Sequence, residues 1–178
     1  QRGWQAAAGL YLNYPSGIWE YSVEGYYKRM SDYLDYRGGA KLLMNHHIET
    51  DVINTQGHAY GVELQVKKQV GKLNGWMSYT YSRTFLRQND KRIEKPVNNG
   101  DWYPTEYDKP HDFKFVGNYK FTHRYSMSIN VDYSTGRPTT IPAGQYYDES
   151  TQSMRVYYTE RNSYRIPDYF RTDISFNI

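Results

Sequence analysis

The chain has no cysteine in 178 residues, so it has no disulfide frame and no thiolate to serve as metal ligand or nucleophile. It has no run of ~18 apolar residues, which excludes a transmembrane helix. Charge of one sign is scarce as well. Lys and Arg number 22 against 19 Asp and Glu, and the resulting formal charge of +3 is too small and too dispersed for a nucleic-acid surface. No signal peptide opens the chain, because Gln1-Arg2-Gly3-Trp4 leads straight into an alternating pattern; an export signal is expected upstream if the protein is exported. Hydrophobic residues make up 38% and the mean hydropathy is -0.91, while tyrosine is abundant at 21. Soluble all-β domains and transmembrane barrels share such numbers, since only alternate residues of a barrel strand meet lipid.

What is present is period-two alternation. Tyr60, Val62, Leu64 and Val66 are apolar, and Gly61, Glu63, Gln65 and Lys67 lie between them. That is a strand with one greasy and one wet face. Gln69-Val70-Gly71-Lys72 makes a tight reversal. The return arm then carries Leu73, Gly75, Met77, Tyr79 and Tyr81 on one face, and Asn74, Trp76, Ser78, Thr80 and Ser82 on the other. Each arm is about a dozen residues or more, against a usual ~5–6, and suits a tilted membrane-crossing strand of ~9–11 residues.

The same pattern recurs along the chain. Residues 4–14 alternate Trp4, Ala6, Ala8, Leu10, Leu12 and Tyr14 against polar or small neighbours. After a turn at Pro15-Ser16-Gly17, Trp19, Tyr21, Val23, Gly25 and Tyr27 share a face until the pattern fades near Asp35. Phe113, Phe115, Gly117, Tyr119 and Phe121 form another strand, followed by a turn at Thr122-His123. Tyr125, Met127, Ile129, Val131 and Tyr133 oppose Ser126, Ser128, Asn130 and Asp132; Phe170, Thr172, Ile174, Phe176 and Ile178 close the series. Residues 37–55, 87–107 and 136–163 have no clean period and are expected to be long loops, the first with room for an extended strand tip. The expectation is an all-β antiparallel meander of about seven long strands, part of a transmembrane β-barrel. Its connections run short, long, short, long, short, long. In a meander this puts every short turn at one end and every long loop at the other, the asymmetry of outer-membrane barrels. Trp4, Tyr14, Trp19 and Phe121 near strand ends would sit in an aromatic girdle, although Tyr and Trp are good strand formers anyway.

The stretch GHAYGVELQVKKQVGKLNGWMSYTYSRT, residues 57–84, resembles late barrel strands of TonB-dependent outer-membrane receptors of the Bacteroidota type. The likeness rests on its G-x-x-x-G-x-E strand, its K-x-x-G-x-L-x-G turn and its S-Y-T-Y-S strand. Tyr107-Asp108-Lys109-Pro110-His111-Asp112-Phe113, Thr135-Gly136-Arg137-Pro138 and Arg165-Ile166-Pro167-Asp168-Tyr169-Phe170 resemble the family's following segments, in the same order. The resemblance implies a plugged barrel of roughly 22 strands that imports a scarce nutrient with energy passed through TonB. The nutrient would be a siderophore, vitamin, oligosaccharide or peptide. Implied partners are outer-membrane lipid, the TonB complex through an N-terminal part outside this segment, and the nutrient; nucleic acid is not among them. Residues 1–178 are expected to be one segment of the barrel, with the plug domain and the final strands elsewhere. A non-transporting surface β-protein and a soluble carbohydrate-binding β-module remain compatible alternatives.

Candidate chemistry is sparse. Asp101-Trp102-Tyr103 in a long loop is the strongest ligand-contact candidate, because aromatics beside an acid stack on a sugar or catechol ring; the plainer reading is a loop anchor. Tyr146, on another long loop, joins them on an outer binding surface. His46-His47 lack a third ligand at metal spacing and read as solvated. Glu20, Glu24 and Glu63 are expected to pair with Lys28, Lys67 or plug residues rather than to act as a glycosidase pair. Ser78, Ser82 and His111 lack the G-x-S-x-G elbow of a nucleophile. Asp90-Lys91-Arg92 and Glu94-Lys95 read as a solvated mixed-charge loop. No catalytic residue, metal ligand or cofactor is assigned.

Overall fold

The computed structural model describes residues 2–14, 17–36, 52–88, 96–150 and 152–178. In chain order its strands are β1 (Arg2–Asn13), β2 (Trp19–Tyr36), β3 (Val52–Lys68), β4 (Leu73–Arg87), β5 (Tyr103–Pro104), β6 (His111–Lys120), β7 (Ser126–Ser134), β8 (Pro138–Thr139), β9 (Pro142–Asp148), β10 (Ser153–Tyr158), β11 (Tyr164–Arg165) and β12 (Tyr169–Asn177). The seven long strands run β1-β2-β3-β4-β6-β7-β12 in a single antiparallel sheet, each paired with its neighbour in the chain's own order. Among the described residues no helix is long and apolar enough to cross a membrane, which says nothing of crossing by strands.

Directly opposed residues in an antiparallel ladder point to the same face, so register turns seven local alternations into two continuous surfaces. One row across all seven strands reads Leu12, Tyr21, Val66, Met77, Phe115, Val131, Thr172. The next on that face reads Leu10, Val23, Leu64, Tyr79, Phe113, Tyr133, Phe170. The opposite face carries Tyr11, Ser22, Gln65, Ser78, Lys114, Asp132, Arg171. Beside these lie Asn13, Glu20, Lys67, Trp76, Val116, Asn130 and Asp173, so Trp76 and Val116 are its apolar exceptions. Nothing among the described residues covers the apolar rows: Leu10, Leu64 and Phe170 are 59%, 40% and 68% exposed.

The short turns close with local chemistry. Gly71 takes a φ of 107°, and Lys68 Nζ donates to the carbonyls of Val70 at 2.6 Å and Leu73 at 2.7 Å. In the β6–β7 turn Thr122 Oγ1 accepts from the amides of Arg124 and Tyr125 at 3.2 and 3.1 Å, a hydroxyl taking the place of a backbone carbonyl. In the β1–β2 turn the Gly17 amide donates to the Tyr14 carbonyl at 2.8 Å, while Pro15 and Ser16 lie outside the described residues.

The three segments expected to be long loops hold more strand than expected. Residues 52–55, the end of the first expected loop where room was left for an extended strand tip, belong to β3. There the buried set has moved to the polar-face parity, with Ile53, Thr55, Gly57, Ala59 and Gly61 all buried, so the apolar alternation seen from Tyr60 onward does not extend back. Strand β2 continues through Asp35 to Tyr36, but its register shifts between Met30 and Tyr33, with Asp32 at φ 54°. That bulge swaps the parity of the faces, which is why the period fades. The 136–163 segment is not plain loop: β9 and β10 form an exposed hairpin, and β8 pairs with β11 at its root. The 87–107 segment likewise holds a 3-10 turn at Val97–Gly100 and the short β5.

Candidate functional site: the knot of long loops

The buried residues of the described chain gather at the long-loop end, on the polar-face side. They include Ile53, Leu86, Tyr103, Thr105, Asp108 and Asn162. The knot begins at β2. Its bulge turns Asp35, opposite Ile53, toward the loops. Strand β5 lies along β4 with Tyr103 opposite Leu86, which places Tyr103 on the same side. The Tyr103 hydroxyl donates to Asp35 Oδ2 at 2.9 Å and its ring is 1% exposed. Burial, and then the Asp35 carboxylate, pushes that phenol well above its ordinary pKa.

Arg161 of the last long connection joins the other two. Its Nη2 donates to Asp35 Oδ1 at 3.0 Å, its Nη1 to the Tyr36 carbonyl, and its guanidinium lies 5.6 Å from the centre of the Tyr103 ring. Its backbone is held by Asn98, whose Oδ1 accepts from the Arg161 amide at 2.7 Å and whose Nδ2 donates to the Arg161 carbonyl at 3.1 Å. Asn162 donates to the Pro104 carbonyl at 2.8 Å and exchanges hydrogen bonds with Thr140. Asn98 and Asn162 have φ of 47° and 54°, left-handed backbone that Asn tolerates better than most residues.

Beneath the knot, Asp108 fills the gap on the β4 edge between β5 and β6. Its Oδ1 accepts from the Thr84 amide at 2.8 Å and from Arg83 Nε at 3.2 Å. Arg165 Nη2 donates to its Oδ2 at 2.7 Å, and Arg165 Nη1 reaches the carbonyls of Asp108 and Gly136 at 2.6 and 2.7 Å. This carboxylate is fully buried yet completely paired, as a buried charge must be. Asp168 closes the root of the third loop, accepting from the Gly136 amide at 2.9 Å and the Tyr133 hydroxyl at 2.7 Å. Those bonds hold its carboxyl below the ordinary range. A Cβ at Gly136 would stand 1.8 Å from the Ile166 carbonyl oxygen, so the crossing requires glycine. Thr135-Gly136 and Arg165-Ile166-Pro167-Asp168 are thus the two halves of one clasp.

The candidate ligand residues part company here. Tyr103 is buried as a strut. Trp102 is 42% exposed on the other side of β5, edge-on to His58 at 4.4 Å and under the Arg87 guanidinium at 4.7 Å. Asp101 is exposed. Tyr146 is 52% exposed on the β9–β10 hairpin, opposite Arg155, and no hydrogen bond or ring contact among the described residues joins it to Asp101 or Trp102. On the polar face Glu20 pairs with Lys67 at 3.4 Å and also accepts from Gln69. Glu24 accepts from the Tyr11 hydroxyl at 2.9 Å rather than from Lys28, and stands directly opposite Glu63. Ser82 donates to the Lys109 carbonyl, and His111 shares a hydrogen bond with Tyr79, so both are tied to structure. His46, His47, Asp90, Lys91, Arg92, Glu94 and Lys95 lie outside the described residues. Among those described, no group of three or more His, Asp or Glu gathers to hold a metal. Sequence reasoning missed Asp35, Asn98, Arg161 and Asn162; only the turn-prone asparagines signalled them.

A two-faced meander with its short turns at one end and, at the other, its second and third long connections tied to each other and to the end of β2 is a segment of barrel wall. The chain matches the TonB-dependent receptor-like β-barrel family over residues 1–178, and it belongs to that family. Comparison with curated proteins and with solved structures returns no match. Membership makes the chain part of a receptor barrel, and the family implies a Gram-negative outer membrane, TonB and a transported ligand.

Replacing Asp108 with Ala leaves two arginines facing a void and strips an acceptor from the Thr84 amide. Loss of one partner of a buried pair costs about 3–5 kcal/mol; the expected cost is near the lower end, because Arg83 and Arg165 side chains keep 26% and 29% exposure. Urea unfolding of the refolded receptor measures it, and a cost under ~1 kcal/mol would show that Asp108 does not hold the loop root.

Proposed function

We propose that the chain is a stretch of barrel wall from a receptor of the Bacteroidota kind. The receptor imports a scarce nutrient (siderophore, vitamin, oligosaccharide or peptide) with energy passed through TonB. The chain performs no covalent chemistry in this role. The observation that carries the reading is the pairing of one largely apolar face, broken by Thr172 and, toward the long loops, by Arg29, His58 and Arg83, with one polar face across seven strands. The rows through Val66 and Leu64 meet lipid, and Glu20, Lys67, Lys114 and Asp132 wet the lumen. The three long connections lie outside the cell and the three short turns in the periplasm.

The outer edges of β1 and β12 are unpaired among the described residues, and every residue of both strands is exposed. In hydrocarbon each unsatisfied backbone group costs several kcal/mol. Both edges therefore pair with further strands of the same barrel, which also carries the plug. Asp101, Trp102 and Tyr146 offer surface to the incoming nutrient, while Tyr103 contributes by fixing its loop on Asp35.

Three measurements test this. In a bilayer, Ile129→Arg should cost ~2–4 kcal/mol and Asn130→Arg much less; equal costs in a refolding assay would reverse or abolish the assigned faces. On intact cells an antibody should reach an epitope tag at Asn99 and not one at Lys72, and the opposite labelling would invert the topology. Combined replacement of Asp101, Trp102 and Tyr146 by Ala should lower uptake at limiting nutrient by roughly tenfold while the barrel still assembles. Unchanged uptake would remove these side chains from the binding surface without touching the wall assignment.

A further inference from the structure

The apolar side of the sheet changes character toward the long loops without changing parity. The row through Leu10, Val23 and Leu64 gives way to the opposed pair Tyr27 and Tyr60, and then to a row that reads Trp4, Arg29, His58, Phe85. At the short-turn end the same side stops at Trp19 and Lys68, opposed in register with the ammonium 5.8 Å from the ring centre. From Lys68 to His58 strand β3 covers about 33 Å, which is about 25 Å across a membrane at a tilt of roughly 40° and matches the apolar band of an outer-membrane barrel. The row through Arg29 and His58 therefore lies at the outer interface.

The cations there are short of partners. Arg29 stands directly opposite His58, with Cβ atoms ~4.5–5.5 Å apart in such a pair. His58 packs against Phe85 at 5.4 Å and edge-on to Trp102 at 4.4 Å, and the Arg87 guanidinium lies over that Trp102 ring at 4.7 Å. Arg29, His58, Trp102 and Arg87 are thus a chain of neighbours on one side of the sheet. Among the described residues neither Arg29 nor Arg87 makes an ion pair or a hydrogen bond, and Arg87 Nε is buried with no acceptor. Arg83, on the same side, is already held by Asp108, and Asp32 in the β2 bulge accepts from Asn54 at 3.2 Å. Two guanidinium groups at the edge of hydrocarbon with no acid against them call for an anion.

We propose that this row binds the phosphate headgroup of an anionic lipid in the leaflet that faces outside the cell, its acyl chains lying down the same side of the sheet past Tyr60 and Leu64. Headgroup and chains then meet one face, in the order cation, aromatic ring, aliphatic side chain. Arg29 presents a guanidinium fork to phosphate oxygens and the terminal nitrogens of Arg87 a second, with the His58 ring between them. Trp102 acts as the support of Arg87. A free anion would use the cations and leave Tyr27, Tyr60 and the aliphatic row bare. The proposal rests on the lipid-facing assignment of the apolar rows.

The test uses the full receptor in detergent, with bound lipid counted by native mass spectrometry. The probes are bisphosphorylated lipid A, the same lipid with its phosphates removed, and inorganic phosphate as competitor. The wild type should retain the phosphorylated lipid in preference to the dephosphorylated one, and inorganic phosphate should not displace it. The variant R29Q/R87Q should lose roughly tenfold or more in affinity for the phosphorylated lipid, and R29Q alone about fivefold. The variant K72Q/K120Q, at the short-turn end and of polar-face parity, should behave as wild type. Unchanged affinity in the arginine variants, an equal loss in K72Q/K120Q, equal retention of the two lipids, or displacement by inorganic phosphate would each overturn the proposal. Heat-modifiable gel mobility reports barrel assembly separately. A barrel that assembles and passes the Ile129 test while ignoring the phosphates defeats this site alone, and R29Q, a single change at an exposed position, serves if the double variant does not assemble.

Discussion

Everything in this wall depends on register. A sheet with two unlike faces can be wrong by a single residue, because a one-step slip in any ladder sends the whole apolar set of that strand to the polar side. Across six ladders the pairing keeps Leu, Val, Met, Phe and Tyr in common rows. The turns hold it: Lys68 clamps two carbonyls of one, and Thr122 caps two amides of another. These contacts are exposed and each contributes little on its own. Their effect is on which alignment forms, and the shared apolar face carries that choice along a dozen residues of strand.

Seven strands, their order and their faces were legible in the residues because period two survives wherever one face is apolar and the other polar. It failed where the wall becomes two-sided. Near Asp35 the bulge at Ser31 and Asp32 exchanges the parities, and from Ile53 to Gly61 the buried set lies beneath the loops. A pattern search reads both places as noise, although each is ordered strand. The same two places build the knot, since the exchange of parity is what aims Asp35 at Tyr103 and Arg161. The knot itself was not legible. Arg161 and Asp35 lie 126 residues apart, and nothing local to either announces the other. Motif order along the chain did mark Gly136 and Asp168, but their role as a clasp arises only where the folded chain crosses itself.

The candidate ligand residues show the limit of composition. Asp101, Trp102 and Tyr103 are adjacent in sequence, yet alternation on the short β5 separates the two aromatics by a full face, one buried as a strut and one open. Adjacent aromatics in a loop look like a single stacking surface only while the backbone is unknown. Once Tyr103 pairs opposite Leu86, its neighbour must point the other way.

Arg161 touches the end of β2, and through Asn98 and Tyr103 the second loop, while belonging to the third. Sequence variation in these loops is therefore not independent. A change in one alters the energetic background against which a change in another is felt, so paired substitutions among Asp35, Asn98, Tyr103 and Arg161 will depart from the sum of their single effects. A lineage that adapts this rim to a new ligand would travel through correlated steps, revising three distant stretches of sequence together.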